Sequence, residues 1–213
     1  MRTATWKQPI MKAGVFSACL IPLVVLAWQA LTDNLGANPI DAITDSTGIW
    51  TLRLLLITLG VTPARRLTGW NRLIQLRRML GLFAFFYGSL HFVTYIWLDQ
   101  FFAVDDIIAD VMDRPFITVG FTSFVLLRPL VITSSTAMIK RLGGKWWQRL
   151  HRLVYAIAIG GVVHYLWLVK ADIQRPLIYG SILGVLFVYR LWETYGRRVM
   201  VGFAVPRKAA VRR

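Results

Sequence analysis

The sequence of 213 residues has a single cysteine, only ten acidic residues and three histidines. One cysteine, Cys19, excludes a framework of intramolecular disulfides, and sixteen glycines without a period exclude a collagen-like chain. Charged residues make up 16% of the chain and hydrophobic residues 56%, which is not the composition of a disordered protein. The net charge of +15 would suit a nucleic-acid-binding protein, but the mean hydropathy of +0.55 and the long apolar runs indicate a membrane protein that binds no nucleic acid.

Six apolar stretches approach the roughly 20 residues that a transmembrane helix needs. They cover residues 13–31, 48–63, 80–98, 116–133, 150–169 and 176–192. Their continuous apolar character differs from the alternation of a β-barrel. The first stretch exceeds the apolar part of a signal peptide, and no A-x-A cleavage site follows it, so we interpret it as an uncleaved span. The sequence predicts an all-α membrane protein with a six-transmembrane-helix bundle over residues 13–192.

The distribution of charge predicts the orientation of these spans. Eighteen lysines and arginines lie in 1–12, 64–79, 134–149 and 193–213, whereas the alternate loops hold three. Nine of the ten acidic residues lie on that second side. Because basic loops stay in the cytoplasm, we expect both termini to be cytoplasmic, with 1–12 as a short N-terminus and 193–213 as a basic tail attracted to anionic lipid.

All three histidines fall within predicted spans, His91 in the third and both His151 and His164 in the fifth. Ionisable side chains are costly in a bilayer, so each is a candidate functional residue; the alternative is a ring that only packs against a neighbouring helix. His151 and His164 are separated by roughly 20 Å along a helix, so one metal ion cannot contact both. Neither cysteine nor carboxylate ligands for zinc stand beside them, whereas a haem iron needs only one or two axial imidazoles in an apolar slot.

Two long segments resemble the ferric-reductase-like transmembrane family: RRMLGLFAFFYGSLHFVTY (77–95) and LGGKWWQRLHRLVYAIAIGGVVHYLWLVK (142–170). The resemblance extends through 38–48, 61–66, 135–143 and 176–180. In that family the third and fifth spans each supply two histidines, which hold two b haems one above the other. Here the fifth span has both, but Arg77 stands where the inner histidine of the third span is expected, and arginine is not an axial ligand. The resemblance therefore implies one haem b, or two with unusual ligation of the inner one.

Helix rise indicates which histidines share a haem. His91 lies about 17 Å and His164 about 21 Å from the cytoplasmic ends of their spans, so we predict that they are the axial ligands of one haem b in the outer half. His151 lies almost at the cytoplasmic surface, where it serves a second cofactor site or is an interfacial histidine beside Trp147. Arg53, at a similar depth to the first haem, is a candidate partner for a haem propionate, or an arginine that snorkels to the outer headgroups.

The resemblance implies an electron-transfer subunit of the bacterial inner membrane. Electrons come from the quinone pool or a flavin reductase and pass through the haem to a periplasmic molybdenum-cofactor subunit that reduces methionine sulfoxide in oxidised envelope proteins. The resemblance also implies bound FMN, to which no residue is assigned. No glycine-rich dinucleotide fingerprint follows the sixth span, so we expect the electrons to arrive from another protein or from the quinone pool.

Several alternatives stay open at this point. The acidic segment 99–113 is a candidate docking surface for the partner, or a solvated amphipathic loop on the membrane. The protein as a whole is alternatively a small transporter or channel whose polar path uses Arg53, Arg128 and the histidines. A third hypothesis is a haem-containing membrane anchor without electron relay.

Overall fold

The computed structural model describes residues 7–169 and 172–196, and all regular structure in this part of the chain is helical. Within these described residues nine α-helices follow one another: α1 (Lys7–Leu31), α2 (Pro39–Thr68), α3 (Arg77–Thr94), α4 (Val104–Asp113), α5 (Pro115–Ile132), α6 (Thr136–Leu142), α7 (Gly144–His151), α8 (Leu153–Leu168) and α9 (Gln174–Leu191). A 3₁₀ segment, Asn71–Leu76, precedes α3, and π-helical turns extend α3 over Tyr95–Asp99 and α9 over Trp192–Gly196. The predicted all-α class is confirmed for the described residues.

In the part of the chain that the structure describes, five helical segments are long and apolar enough to cross a membrane. They are Pro9–Leu31, Pro39–Thr68, Asn71–Asp99, Pro115–Ile132 and Gln174–Tyr195. The remaining predicted span, 150–169, corresponds to α8, which has 16 residues and is therefore about 24 Å long, shorter than a bilayer core of about 30 Å. A turn at Arg152 separates α8 from α7. Six spans and two cytoplasmic termini stay predictions, and residues 1–6 with most of the 193–213 tail lie outside the described part.

The second predicted span is longer in the structure, because α2 begins nine residues before position 48. The side chain of Asn38 accepts a hydrogen bond from the Asp41 backbone N–H, and Pro39 occupies the first helical position. Both features favour the start of a helix. Gly69 ends α2 in a left-handed conformation with φ 69°.

The acidic segment 99–113, interpreted from sequence as a loop, contains the helix α4. The side chains of Val104, Ile108 and Met112 are exposed on one face of α4. Ile107 and Val111, on another face, line a cavity inside the bundle. The segment is therefore an amphipathic helix that covers one end of this cavity.

Two closely packed helix pairs form the centre of the molecule. α2 packs along α3, and α5 packs along α8, with far fewer contacts between the two pairs than within either. The buried side chains of Leu55, Tyr87 and Ile157 belong to the main apolar cluster, and the stacked rings of Phe85 and Phe124 connect α3 to α5. The two pairs therefore leave a space between them that can hold a ligand. The helices α1 and α9 pack on the outside of the pairs.

Candidate functional site

A cavity of about 350 Å³ lies between the α2–α3 pair and the α5–α8 pair, with α4 across one end. Most of its wall is apolar, and Phe92, Phe121 and Phe124 contribute aromatic rings. A volume of this size with a few converging polar groups is typical of a small-molecule or cofactor site. The polar groups that line it include two imidazoles, one from each helix pair.

The imidazoles of His91 on α3 and His164 on α8 face each other across the cavity. Their ring centres are 6.1 Å apart and their planes are inclined by 77°. Nδ1 of His91 lies 2.9 Å from the Thr44 carbonyl oxygen, and Nδ1 of His164 lies 2.7 Å from the Phe116 carbonyl oxygen. Because a carbonyl only accepts, Nδ1 of each ring donates, which leaves a lone pair on Nε2. Neither Nε2 atom has a hydrogen-bond partner among the described residues.

This pair of rings fits the axial ligands of one metal ion. A metal–imidazole bond of about 2.0 Å plus about 1 Å from Nε2 to the ring centre gives about 6 Å between the centres of two coaxial ligands, close to the 6.1 Å observed. The Thr44 hydroxyl is buried at the cavity without a partner, as expected for a group that bonds to a ligand. Within the described residues no cluster of three or more His, Cys, Asp or Glu suits a metal ion. Two imidazoles in an apolar slot suit haem iron rather than zinc.

Each ring also lies against a glycine of the helix that provides its carbonyl. A Cβ atom on Gly48 would lie 3.0 Å from Cε1 of His91, and a Cβ atom on Gly120 would lie 2.7 Å from Nδ1 of His164. Both separations are below ordinary van der Waals contact. Sequence reasoning did not identify these glycines.

His151 lies at the end of α7 and is not brought to the other two histidines. Its Nε2 is 3.1 Å from the Thr133 hydroxyl, and its ring stacks on Trp147 with 4.1 Å between centres. The Trp147 indole in turn donates to the Thr133 carbonyl at 2.9 Å. These contacts hold the His151 ring against α7 and the end of α5.

None of the three arginines considered from sequence, Arg53, Arg77 and Arg128, lines the cavity, and the Arg128 guanidinium lies 5.2 Å from the centre of the Phe124 ring. Arg53 donates from Nε to the Tyr179 hydroxyl at 2.9 Å, and its guanidinium carbon lies 4.8 Å from the centre of the Trp50 ring. Arg77, at the start of α3, lies in electrostatic range of His151. The arginine that does line the cavity is Arg114, whose Nε is 3.1 Å from an Asp110 oxygen. Sequence reasoning did not single out Arg114.

Comparison with known proteins gives the family. Residues 47–162 match the family described as ferric reductase like transmembrane component. A protein-methionine-sulfoxide reductase heme-binding subunit MsrQ from Herminiimonas arsenicoxydans is 56% identical over 191 residues, which are 89% of this chain and 88% of that protein. Proteins of the same name are 56% identical in Azospira oryzae, over 85% of this chain and 78% of the relative, and 45% identical in Xanthomonas campestris, over 94% and 95%. The chain is therefore a membrane protein that belongs to the MsrQ family of ferric-reductase-like transmembrane components.

Proposed function

We propose that this chain binds one haem b between His91 and His164 and carries electrons through the inner membrane to a periplasmic methionine sulfoxide reductase. The observation that carries the proposal is the geometry of the two imidazoles, which face one cavity 6.1 Å apart with Nδ1 of each ring on a backbone carbonyl. The names of the relatives, which describe heme-binding subunits of a protein-methionine-sulfoxide reductase, support the choice of ligand and partner.

The side chains of the site suit electron transfer better than reaction with oxygen. A haem held by His91 and His164 would supply one-electron transfer, with both imidazoles engaged as its ligands. The Thr44 and Phe116 carbonyls fix the tautomer and orientation of the two rings, as second-shell hydrogen bonds do for metal-bound histidines. Phenylalanine rings exclude water from the slot, which helps to set the potential of the bound group.

The haem count in this proposal follows from the three histidines in the sequence. With His91 and His164 committed to one iron, His151 has no partner imidazole. To bind a second haem, His151 would have to use its other ring nitrogen or give up the hydrogen bond between Nε2 and the Thr133 hydroxyl. That haem would also need a ligand of another type on its opposite side. We therefore expect one strongly bound haem that neither Arg77 nor Arg53 contacts. FMN is a further group that is implied by the resemblance alone.

The orientation predicted by loop charge gives the relay its direction. Electrons enter from the cytoplasmic side, supplied by the quinone pool or a flavin reductase, and leave through the outer end of the cavity beneath α4. Asp105 and Asp106 are exposed on α4 and present one sign of charge to an approaching partner, here a molybdenum-cofactor subunit.

Haem binding is tested on the protein purified in detergent. We expect a b-type band in the dithionite-reduced minus oxidised spectrum and about one haem per chain by pyridine haemochrome, because the three histidines allow one bis-imidazole site. His91→Ala and His164→Ala are expected to lose the main band, while the matched control His151→Ala keeps it. A wild-type protein without a b-type band would refute the proposal, and a transporter or channel would then be favoured. Retention of the main band in His91→Ala would refute the ligand pair.

Electron relay is tested separately from membrane anchoring. In proteoliposomes, quinol or a reduced flavin is expected to reduce the haem, and the periplasmic partner to reoxidise it. A protein that binds the partner while its haem stays reduced would be an anchor. The double variant Asp105→Asn/Asp106→Asn is expected to slow reoxidation most at low salt, since exposed charges are screened as ionic strength rises. An unchanged rate at all salt concentrations would remove α4 as the docking surface.

A further inference from the structure

The two halves of the candidate site are built in the same way from different helices. In each half, a histidine on one helix contacts the neighbouring helix at a carbonyl and at the glycine four residues later. These are Thr44 and Gly48 on α2 for His91, and Phe116 and Gly120 on α5 for His164. Thr44 and Phe116 are 72 residues apart in the sequence, and so are Gly48 and Gly120. The carbonyl and the glycine therefore occupy equivalent positions on α2 and α5.

A second glycine tightens each helix pair next to its histidine. A Cβ on Gly88 of α3 would meet the Thr51 side chain of α2 at 3.4 Å, and a Cβ on Gly160 of α8 would meet the Ser123 side chain of α5. Thr51 and Ser123 are again 72 residues apart. Both pairs therefore approach closely enough for an imidazole of one helix to reach the backbone of the other.

The spacing of four residues between carbonyl and glycine has a direct geometric meaning. In an α-helix each side chain leans toward the N-terminus, so the side chain at one position covers the backbone one turn earlier. A side chain at 48 would cover the Thr44 carbonyl, and one at 120 would cover the Phe116 carbonyl. Each carbonyl oxygen has a second lone pair beyond its helical hydrogen bond, and the glycine leaves the oxygen accessible to the histidine. The Thr47 hydroxyl also lies 3.0 Å from the Thr44 carbonyl oxygen, but its shorter bond is to the Ile43 carbonyl oxygen at 2.8 Å.

We propose, resting on the haem site proposed above, that Gly48 and Gly120 are positioning residues that hold the two axial imidazoles at their carbonyls with the ring planes nearly perpendicular. The glycines act through His91 and His164 and do not contact the iron. This assigns a role in ligand orientation to two residues that carry no functional group.

The expected effect of a methyl group differs between the two sites. Alanine at 120 would place Cβ 2.7 Å from Nδ1 of His164, so that ring must move by roughly 0.8 Å to restore a separation of about 3.5 Å. Alanine at 48, at 3.0 Å from His91, requires roughly 0.5 Å. Functional groups lose their geometry when displaced by about 0.5 Å or more. We therefore expect Gly120→Ala to be the more severe change and Gly48→Ala the milder one.

The test compares Gly48→Ala and Gly120→Ala with wild type, using haem per chain, the reduction potential and the EPR signal of the oxidised haem. The angle between axial ligand planes sets the splitting of the iron d orbitals, so nearly perpendicular rings give a strongly anisotropic low-spin signal. We expect that signal in wild type, a change in signal and potential in Gly48→Ala, and haem affinity about 10-fold weaker or worse in Gly120→Ala. Gly81→Ala on α3 and Gly184→Ala on α9 are matched controls, because a Cβ at either site would meet nothing within 4 Å.

The outcomes separate this proposal from the one on which it rests. A wild-type protein without haem refutes the haem site itself. A haem-containing wild type with unchanged signal and potential in both Gly48→Ala and Gly120→Ala overturns the positioning role alone, as does an equal change in Gly81→Ala. If Gly120→Ala does not fold, as judged by helicity and size-exclusion chromatography, the milder Gly48→Ala decides.

Discussion

Tyr87→Phe tests how the first helix is held against the rest of the protein. In a regular helix the Leu23 N–H donates to the Cys19 carbonyl, and Pro22, which has no N–H, stands inside α1 just before Leu23. The Tyr87 hydroxyl contacts both of these groups: it accepts from the Leu23 N–H at 3.2 Å and donates to the Cys19 carbonyl at 2.8 Å. The Tyr87 side chain is 1% exposed, so water does not replace it.

The expected loss follows from these two bonds. Each buried hydrogen bond contributes about 1 kcal/mol, and a buried polar group left without a partner costs about 1–3 kcal/mol. Part of this is recovered where the Leu23 N–H bonds to the Cys19 carbonyl one turn earlier, as in a regular helix, although Pro22 weakens the helix at this point. We therefore expect Tyr87→Phe to lower the free energy of unfolding by about 2 kcal/mol, or about thirtyfold in the equilibrium constant.

This difference in the free energy of unfolding is measured by unfolding the protein in mixtures of SDS and a mild detergent, with the loss of helicity as the signal. Tyr195→Phe is the control, because Tyr195 is exposed and no hydrogen bond of its hydroxyl is observed. In a Pro22→Ala background the Leu23–Cys19 bond can close, so Tyr87→Phe should then cost less. A loss below about 0.5 kcal/mol with Pro22 intact would refute the reasoning, since it would mean that α1 satisfies its own backbone groups.

Two further predictions concern the outer end of the cavity. The Asp110 carboxylate accepts from the Tyr95 hydroxyl at 3.1 Å and from the Gln100 amide at 2.9 Å. We expect Asp110→Ala to lower the local stability of α4 by about 1–3 kcal/mol, which speeds proteolysis and hydrogen exchange within α4 and leaves the haem band in place. Unchanged exchange would contradict this. The buried Thr44 hydroxyl has no partner, so Thr44→Val should leave the haem-free protein as stable as wild type, and it should weaken haem retention if the hydroxyl bonds to the cofactor. A haem-free Thr44→Val protein that unfolds more easily would show that the hydroxyl already has a partner.

Apolar runs predicted the helical class well and the helix boundaries less well. The first turns of α2 were missed because Asp41, Thr44 and Asp45 make them read as a loop, yet these residues line the cavity instead of facing lipid. Hydropathy measures how apolar a segment is, but it does not show whether the polar residues of that segment point to lipid or to an internal cavity. The turn at Arg152 was missed for a different reason: no glycine or proline stands next to Arg152, and the two adjacent glycines of the run, Gly160 and Gly161, lie inside the regular helix α8.

The approach of the two cavity histidines could be anticipated only in part. Helix rise places His91 and His164 at similar depths, and the structure places their ring centres 6.1 Å apart. Rotation about the helix axis could not be predicted in the same way, since it depends on how α3 packs on α2 and α8 on α5. The same is true of Arg53, whose depth suits the cavity but whose Nε bonds to Tyr179 on α9.

His151 differs from the other two histidines in the residues that surround its ring and accept or donate its hydrogen bonds. All three are imidazoles in or next to apolar helices, and sequence alone makes each a candidate ligand. His151 uses Nε2 on the Thr133 hydroxyl, whereas His91 uses Nδ1 on a carbonyl and keeps Nε2 for the cavity. In the proposal above, that choice depends on a carbonyl with an accessible lone pair and on the glycine one turn later in the neighbouring helix. A ligand site of this kind is therefore specified by a histidine together with a glycine on another helix, and only the packing of the helices brings the two together.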